Sequence, residues 1–394
     1  MIESLPETPE LSVVMPCLNE EETLGLCLEK ARATIQRLGL SAEIVVADNG
    51  STDRSVEIAR SFGARVVHES RKGYGSAYLA GFAAARGRFI VMADSDDSYD
   101  WTDIARFLEP LRQGADFVIG TRLRGHIDPG AMPWLHRYLG NPVLTGTLNL
   151  LFGAGISDAH CGMRAFSRDA LDRMHLRTTG MEFASEMVIK AAKAGLRIVE
   201  IPITLHKDKR SRKPHLRTWR DGWRHLRFML LLSSTWLYMI PGLVLLGLGL
   251  IPLVALYPRP IHIGHVELDV HSMILGSLLV ILGVQILTTG LFARVYSFEQ
   301  AFDQGDPLLR SLARHFNLER GLVLGLIVFL IGLAIDAHVL ITWIRQGLGP
   351  LAELRPAILG STLLAVGVQI ITASFFLSML SVKVADLADR SGTR

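Results

Sequence analysis

Cysteine is scarce in this chain of 394 residues, which contains three cysteines. Cys17, Cys27 and Cys161 lack the spacing of zinc ligands, and an odd number cannot all be joined in disulfides, so we expect free thiols in a reducing compartment. The opening residues MIESLPETPE are polar and acidic, so we expect no N-terminal signal segment. We therefore expect the region that follows them to stay in the cytoplasm.

Neither sign of charge dominates, because 41 basic and 38 acidic residues leave a net charge of +3. The balance is uneven along the chain. The N-terminal half mixes both signs, whereas long apolar runs fill the C-terminal part. This division predicts a soluble domain followed by a membrane domain, and we expect no nucleic-acid partner.

Residues 89–100, FIVMADSDDSYD, join a short apolar run to a cluster of carboxylates. The run predicts a strand buried on both faces, and α/β sheets bind ligands at the carboxyl ends of such strands. Asp94, Asp96 and Asp97 repel one another there unless a cation is bound. The D-x-D pattern therefore predicts an Mg²⁺ or Mn²⁺ site shared with a substrate diphosphate, with a solvated acidic turn as the alternative.

Strand and helix patterns alternate through the N-terminal half. Predicted strands at 11–17, 43–48, 64–68 and 89–92 are separated by predicted helices that end near residues 38, 62 and 86, and Asn19 is predicted to cap the first helix. The alternation predicts an α/β fold with a mostly parallel, Rossmann-like sheet. One edge of this sheet collects the polar residues that a nucleotide sugar needs, namely Asn19, Glu20, Asp48, Asp94 and Asp96.

The ordered motifs PCLNEEE, ADNGSTD, RKGYG and DSDD resemble those of the family 2 glycosyltransferases, which have the GT-A fold. Within that family the chain resembles the polyisoprenyl-phosphate glycosyltransferases, the group of the dolichyl-phosphate mannose and glucose synthases and their bacterial relatives. VIGTR, SDAHCGMRAF and IVEIPI extend the likeness over about the first 230 residues. The Q-x-x-R-W string of processive synthases does not occur, which argues against a growing polysaccharide as the acceptor.

The resemblance assigns roles to individual residues. Asp94 and Asp96, with Ser98 nearby, are expected to hold the metal, and Asp94, Asp96 and Arg122 form the catalytic set. Leu18 stands where some relatives have a tyrosine, so the base preference does not carry over. Glu182 or Glu186 is expected to orient the donor sugar, or to be the base in a relative with a hydroxyl acceptor. The nucleotide-binding set is Pro16, Leu18, Asn19, Glu20, Asp48, Lys72 and Ser95. The acceptor-phosphate set is Arg122 and Arg137, joined by Arg210, Ser211 and Lys213 of the basic segment that follows the catalytic domain, because cations there could receive a lipid phosphate.

A basic segment, residues 207–228, follows the predicted catalytic domain at 1–206 and carries nine basic residues against two acidic ones. Trp219 and Trp223 alternate with leucines at a spacing of three or four residues, which predicts an amphipathic helix from about residue 215. Such a helix lies in the membrane surface, and its cations attract anionic lipid. A solvated basic linker is the alternative.

Four apolar spans near 229–256, 272–292, 322–344 and 357–380 make up the predicted membrane domain, 229–394. Basic residues are concentrated in the loop between the second and third spans and in the C-terminal tail, which predicts that both termini are cytoplasmic. Pairing of these helices between copies, in a homo-oligomer, stays open.

The membrane spans also repeat. ILGS and GVQI, which begin at Ile274 and Gly283, recur at Ile358 and Gly367. This recurrence predicts two parallel helical hairpins, and Gln285 and Gln369, which are equivalent in the two copies, are expected to hydrogen-bond between helices.

These expectations combine into a membrane-anchored, inverting glycosyltransferase that moves one sugar from a UDP- or GDP-sugar to undecaprenyl or dolichyl phosphate. A phosphate monoester is largely ionised at pH 7, since its second pKa is about 6, and it can attack without a strong protein base. Two alternatives remain. One is a transferase with a hydroxyl acceptor, such as a lipid-linked saccharide, which requires a carboxylate base. The other is a non-enzymatic membrane protein that handles lipids and binds a nucleotide.

Overall fold

The computed structural model describes residues 8–210, 218–299, 318–349 and 353–381. The chain divides into two compact units, Met1–Met229 and Leu230–Arg394. The expectations for Ser211 and Lys213, and those for the basic residues of 300–317 and 382–394, lie outside the described residues.

The first unit is built from strands that alternate with helices. Its strands are β1 Leu11–Cys17, β2 Ala42–Asp48, β3 Arg65–His68, β4 Phe89–Met92, β5 Phe117–Ile127, β6 Arg164–Ser167 and β7 Ile198–Leu205. Its helices are α1 Leu24–Leu38, α2 Ser55–Ser61, α3 Tyr74–Ala84, α4 Ile104–Arg112, α5 Asn141–Phe152, α6 Arg168–Met174, α7 Phe183–Lys193 and α8 Thr218–Leu232, and a short π-helix, His136–Gly140, precedes α5.

All seven strands form one sheet in the order β3-β2-β1-β4-β6-β5-β7. β1 and β4 are its centre, and they pair in parallel with Val13 opposite Val91. β6 runs antiparallel to both β4 and β5, which breaks the parallel pattern at the middle of the sheet. The predicted mostly parallel α/β fold is confirmed. The acidic residues after β4 therefore lie at the carboxyl edge of the central strands.

The second unit consists of long apolar helices. They are α9 Ile240–Ala255, α10 Val270–Glu299, α11 Leu318–Arg345 and α12 Leu354–Ser381, and a small hairpin of β8 Ile261–Ile263 and β9 Val266–Leu268 lies between α9 and α10. Four helical segments are long and apolar enough to cross a membrane, at Thr235–Ala255, Val270–Ser297, Leu318–Arg345 and Leu354–Leu380. The four predicted spans are confirmed by length and composition.

Glycine contacts repeat within the two membrane hairpins. In the first hairpin a Cβ on Gly249 would lie 2.6 Å from the carbonyl oxygen of Gly276. In the second, a Cβ on Gly332 would lie 2.7 Å from the carbonyl oxygen of Gly360. Each hairpin is therefore closed by glycines at matching positions, because any larger side chain would push the two helices apart.

The two hairpins meet through α10 and α12. Equivalent residues face each other at this contact, since the rings of Phe292 and Phe376 lie 4.6 Å apart between centroids. Ser277 and Thr362 share a 2.6 Å hydrogen bond earlier along the same two helices. Contacts in the same sequence order on both helices mean that α10 and α12 run parallel, so the predicted parallel repeat is confirmed.

Candidate active site

The acidic turn after β4 is fixed to neighbouring elements by hydrogen bonds. Asp94 accepts a 2.9 Å hydrogen bond from the hydroxyl of Tyr74, at the start of α3, through Oδ1. The Oδ1 of Asp96 accepts two hydrogen bonds from Ser98, from the backbone N–H at 3.0 Å and from the hydroxyl at 2.5 Å. Ser95 donates to the carbonyl of Pro16 in β1. The structure therefore brings four of the predicted site residues, Asp94, Ser95, Asp96 and Ser98, into one turn beside Pro16, with Tyr74 as an addition.

Burial and mutual repulsion disturb the ionisation of this turn. Burial, and next the charge of Asp96, raise the pKa of Asp94 to about 6. Gly162 lies against it, since a Cβ at that position would be 2.9 Å from Oδ2 of Asp94 and 3.0 Å from the ring of Tyr99. The glycine of the CGMR motif is thus required for the close approach of two loops at the carboxylate.

Arg210 lies on the acidic residues. Its guanidinium is 2.8 Å from Oδ2 of Asp96, 3.3 Å from Oε1 of Glu20 and 3.0 Å from Oδ2 of Asp208. The sequence analysis places Arg210 in the acceptor-phosphate set, whereas here it contacts three carboxylates. Glu20, which is 7% exposed, enters the same cluster from the loop that follows β1.

The loop after β1 binds the turn after β2. Asn19 has a left-handed backbone, with φ of 58°, and its Oδ1 accepts a 2.7 Å hydrogen bond from the backbone N–H of Thr52. The prediction that Asn19 caps α1 is wrong, because this contact holds its side chain in the β2 turn and α1 begins only at Leu24. Pro16 and Leu18, which flank Cys17, are half-buried.

Asp48 at the end of β2 is almost fully buried and organises its own turn. It accepts from the backbone N–H groups of Gly50 and Ser51, at 3.3 and 3.0 Å, and lies 3.0 Å from Nδ1 of His68. Burial works against ionisation of Asp48, but these hydrogen bonds outweigh it and hold its pKa below the ordinary value. Asp48 is therefore a carboxylate that braces the turn at the carboxyl end of β2.

Asn49 holds the RKGYG loop in place, a role that the sequence analysis missed. Its side chain donates to the carbonyls of Glu69 and Arg71 and accepts from the backbone N–H of Gly73, all within 3.0 Å. Lys72 in that loop donates to the backbone carbonyl of Asn49 at 2.9 Å. The sequence signal for this contact was the N-G pair after β2 together with R-K-G before α3. These two loop segments hydrogen-bond to each other.

Arg122 is paired with Asp158, from the SDAHCGMRAF segment. Its Nε and Nη2 donate to the two carboxylate oxygens at 2.7 and 2.8 Å, and the backbone N–H of Arg122 also donates to Asp158, at 3.0 Å. Burial works against ionisation of Asp158, but Arg122 outweighs it and holds its pKa below the ordinary value. This bidentate pairing fixes the plane of the guanidinium.

Tyr99, whose hydroxyl accepts a 2.8 Å hydrogen bond from the backbone N–H of Gly162, is affected by the charges of both Arg122 and Asp94. Burial raises the pKa of Tyr99, the charge of Arg122 opposes that rise, and Asp94 adds to it, so both charges are within electrostatic range of the phenol. Arg137, by contrast, is exposed on the π-helix, with its guanidinium 5.4 Å from the centroid of the Tyr138 ring.

Glu186 and Glu182 have different environments. Glu186 is fully buried and accepts from the backbone N–H groups of Arg177 and Thr178, while Lys190 lies 2.8 Å away. Its carboxylate therefore supports the 177–179 loop. Glu182 at the start of α7 has a buried Oε2 that finds no hydrogen-bond donor among the described residues. Of the two predicted carboxylates, Glu182 is the one with an acceptor oxygen to spare.

The donor set at the acidic turn fits a hard divalent cation. In the part of the chain that the structure describes, no group of three or more His, Cys, Asp or Glu side chains has the arrangement of a metal site. Mg²⁺ and Mn²⁺ bind through one or two carboxylates when a substrate phosphate completes their shell, and Asp94 and Asp96 supply this number. The guanidinium of Arg210 already stands in as a cation on Asp96.

Comparison with known proteins gives two family matches and several related chains. The family model "Glycosyl transferase family 2" matches residues 12–174, and "Glycosyltransferase family 2 C-terminal transmembrane region" matches residues 291–381. The low-salt glycan biosynthesis hexosyltransferase Agl6 of Haloferax volcanii is 41% identical over 94% of this chain and 89% of that protein. A dolichyl-phosphate hexose transferase of the same organism is 36% identical over 49% of this chain and 82% of that protein.

Among solved structures, a glucosyl-3-phosphoglycerate synthase of Mycobacterium tuberculosis aligns with 56% of this chain and 79% of its own, at 24% identity and a TM-score of 0.46. The two family matches cover both units, and the relative with 41% identity spans nearly the whole chain. The chain therefore belongs to glycosyltransferase family 2, as a member with the family's C-terminal transmembrane region, and its relatives confirm the resemblance to the polyisoprenyl-phosphate glycosyltransferase group.

Proposed function

We propose that this protein transfers a single sugar, with inversion, from a nucleotide-diphosphate sugar to a polyisoprenyl phosphate at the cytoplasmic face of a membrane. The proposal rests on two features that occur together in this chain. A family 2 catalytic unit has Asp94, Asp96 and a fixed Arg122 at one edge of its sheet, and it leads directly into four apolar helices. The related dolichyl-phosphate hexose transferase supports a lipid phosphate as the acceptor.

The acidic turn supplies the donor half of this chemistry. A divalent cation, Mg²⁺ or Mn²⁺, would be held by Asp94 and Asp96 and would neutralise the departing nucleotide diphosphate. Tyr74 fixes one carboxylate and Ser98 the other, so neither side chain has to be ordered when the donor binds. The residues that follow β1 and β2, including Glu20 and Asp48, would line the nucleotide, as the family resemblance implies.

Arg122 supplies the acceptor half. Its guanidinium is held rigidly by Asp158 through Nε and Nη2, so Nη1 is the nitrogen that this pairing leaves for a phosphate oxygen. The side chain is 11% exposed, which suits a fixed donor at the wall of a site. An ionised phosphate monoester needs no general base, so orientation and charge are the main contributions of the protein.

The state of Glu186 also favours a phosphate acceptor. A hydroxyl acceptor would need a carboxylate base, and the hydrogen bonds that surround Glu186 make it a poor one. Glu182 keeps the hydroxyl-acceptor alternative open, because its Oε2 lacks a donor in the described residues. The phosphate-acceptor and hydroxyl-acceptor alternatives therefore differ in whether Glu182 acts as a base.

A membrane-facing surface on the catalytic unit supports a lipid substrate. On α8, Asp221, His225 and Met229 are buried, whereas Trp219 and Trp223 are 79% and 58% exposed. The two tryptophans of the apolar stripe predicted from the sequence are thus exposed. Indoles at this position suit the headgroup region of a bilayer, and we propose that α8 lies there.

The π-helix and α5 extend the same surface. Trp134 is 70% exposed and Tyr138 is 59% exposed, and Val143 and Leu150 are exposed on α5. Nε2 of His136 lies 2.9 Å from the hydroxyl of Thr218, the first residue of α8, and so joins the two elements. Exposed apolar surface of this extent on a soluble domain marks an interaction site. Its aromatic composition, next to the segment that enters the membrane spans, favours lipid.

The test is a transfer assay with the purified full-length protein. Radiolabelled UDP- and GDP-sugars would be offered with undecaprenyl or dolichyl phosphate and Mg²⁺ or Mn²⁺. The expected product is a lipid whose sugar is released by mild acid and whose anomeric configuration is opposite to that of the donor. Asp96→Asn is expected to abolish the signal. Label found only in a hydroxyl-linked acceptor would replace this proposal with the first alternative.

A further inference from the structure

Arg210 occupies the one oxygen of Asp96 that a cation could use. The Oδ1 of Asp96 already accepts two hydrogen bonds from Ser98, so Oδ2 is the oxygen left for a metal. That atom is 2.8 Å from Nη2 of Arg210. The same guanidinium also reaches Glu20. A divalent cation and Arg210 therefore cannot both hold Asp96 in this arrangement.

The backbone that carries Arg210 is fastened independently of its guanidinium. The N–H of His206 donates to the carbonyl of Ser98 at 2.9 Å, just past the end of β7. Lys209 forms a 2.7 Å ion pair with Asp97, which Lys30 of α1 also contacts, at 2.6 Å. Because these contacts anchor residues 206–209 on the acidic turn, the Arg210 side chain can change partners without the strand end moving.

In this arrangement Arg210 also lacks one of its hydrogen-bond acceptors within the described part of the chain. Its side chain is 14% exposed, and its Nε is buried without an acceptor among the described residues. A guanidinium whose Nε and one Nη both donate to a single carboxylate, as those of Arg122 do to Asp158, gains more than one that is shared among three single contacts. This arrangement suits a temporary partner.

We propose that Arg210 is an exchangeable counter-ion. It neutralises Asp96 and Glu20 while the donor site is empty, gives up Asp96 when a divalent cation binds with the nucleotide, and then becomes available to the acceptor phosphate. This inference rests on the proposed function. It predicts that the donor binds before the acceptor. Arg210 can join Arg122 on the acceptor phosphate only after the donor complex has formed. By linkage, donor and acceptor binding then strengthen each other.

The first test needs neither nucleotide nor lipid. Mn²⁺ binding to the full-length protein in detergent is measured by calorimetry and by the electron paramagnetic resonance signal of free Mn²⁺. Arg210→Gln, which keeps most of the side-chain volume, is expected to bind Mn²⁺ at least about tenfold more tightly than the wild type. Arg112→Ala removes an equal charge from an exposed pair with Glu10 and is expected to leave the affinity unchanged. Equal or weaker binding by Arg210→Gln overturns the proposal.

Two further measurements keep the outcome unambiguous. Arg210→Lys retains the positive charge but loses the planar set of guanidinium N–H donors, so it is expected to bind Mn²⁺ with an affinity between those of the wild type and Arg210→Gln. It also provides a test of the proposal should Arg210→Gln fold poorly. Binding of a short polyisoprenyl phosphate is then compared with and without UDP or GDP and Mn²⁺. Strengthening in the wild type that is lost in Arg210→Gln supports the exchange, and strengthening of equal size in both proteins overturns it.

Failure of the inference and failure of the function are distinguishable. If the wild type glycosylates a polyisoprenyl phosphate but Arg210→Gln leaves Mn²⁺ affinity unchanged, the counter-ion role is wrong and the function stands. If the wild type transfers sugar to no polyisoprenyl phosphate, the proposed function fails. The substrate-free Mn²⁺ titration still decides whether Arg210 competes for the carboxylates.

Discussion

Gln285 and Gln369 hydrogen-bond to each other between α10 and α12, with 3.2 Å between Nε2 of Gln369 and Oε1 of Gln285. They occupy equivalent positions in the two sequence repeats. A residue can touch its own equivalent only if it lies close to the axis that relates the repeats. The membrane unit is therefore organised around an approximate twofold axis between α10 and α12, and each hairpin packs its remaining helix to one side.

Gly249→Ala is expected to destabilise the first hairpin. A Cβ there would be 2.6 Å from a carbonyl of α10, and overpacking of this kind costs about 1–3 kcal/mol. Gly247→Ala, two residues away on α9, is the matched control, since a Cβ at Gly247 has no neighbour within 4 Å among the described residues. Thermal unfolding in detergent should show a lower midpoint for the first variant alone. Equal midpoints would mean that the helices do not pack at Gly249.

Tyr74→Phe is expected to weaken metal and donor binding without unfolding the catalytic unit. The substitution removes the hydroxyl that holds Oδ1 of Asp94, and a hydrogen bond to a charged group contributes about 1.5–3 kcal/mol. We expect at least a tenfold weaker apparent affinity for Mn²⁺ in the transfer assay, with a smaller change in kcat.

Tyr78→Phe is the control for this variant. Tyr78 lies one turn further along α3 with its ring centroid 4.9 Å from that of Tyr74, and its buried hydroxyl does not donate to Asp94. Its removal should leave the Mn²⁺ dependence as in the wild type. A similar loss in both variants would assign the effect to packing of the aromatic cluster.

Glu186→Gln is expected to act through stability. Glu186 and Lys190 are both buried, and breaking a buried ion pair by removing one charge costs about 3–5 kcal/mol. The variant should unfold at a lower temperature and lose activity by the same factor at every pH. Glu182→Gln, four residues earlier, should unfold like the wild type. A change in the shape of the pH–rate profile for Glu186→Gln would identify it as a base and favour the hydroxyl acceptor.

The sequence predicts the scaffold of this site better than its contacts. Strands such as β4 consist of apolar residues that must be buried whatever surrounds them, so their position follows from composition. The partner of a charged side chain depends on which loops the folded sheet brings together. Arg210 and Asp96 are more than a hundred residues apart, and their ion pair depends on the exit of β7 over the acidic turn. The antiparallel β6 likewise depends on pairing that local patterns do not encode.

Ser185 joins a half-buried histidine, His160, to a buried one, His225, where α8 docks on the catalytic unit. Its hydroxyl is 3.2 Å from Nε2 of His160 and 2.8 Å from Nδ1 of His225. Burial lowers the pKa of His225 to about 4, against an opposing pull from Asp221, with Arg164 and Arg224 adding to the decrease. Burial likewise holds the pKa of His160 well below its ordinary value; the charges of His225, Arg122 and Arg164 reinforce the decrease, and Asp158 opposes it.

Docking of α8 should therefore weaken in acid. Both folded pKa values lie below the unfolded value of about 6.5, so the opened state takes up protons first as the pH falls. The stability that this contact contributes is complete above about pH 6.5 and decreases as the pH approaches 4, by roughly 3 kcal/mol for His225 alone. Hydrogen exchange in Thr218–Leu232, corrected for the intrinsic rate, should accelerate over this range.

Two variants test the assignment to His225. His225→Gln cannot be protonated, so it should lose most of the pH dependence of exchange in α8, leaving the part that His160 contributes. His126→Gln removes a histidine whose side chain is 70% exposed and should retain the full dependence. Exchange in α8 that is independent of pH between 6.5 and 4 in the wild type would show that these histidines do not control the docking of the helix, because protonation would then cost the folded state nothing.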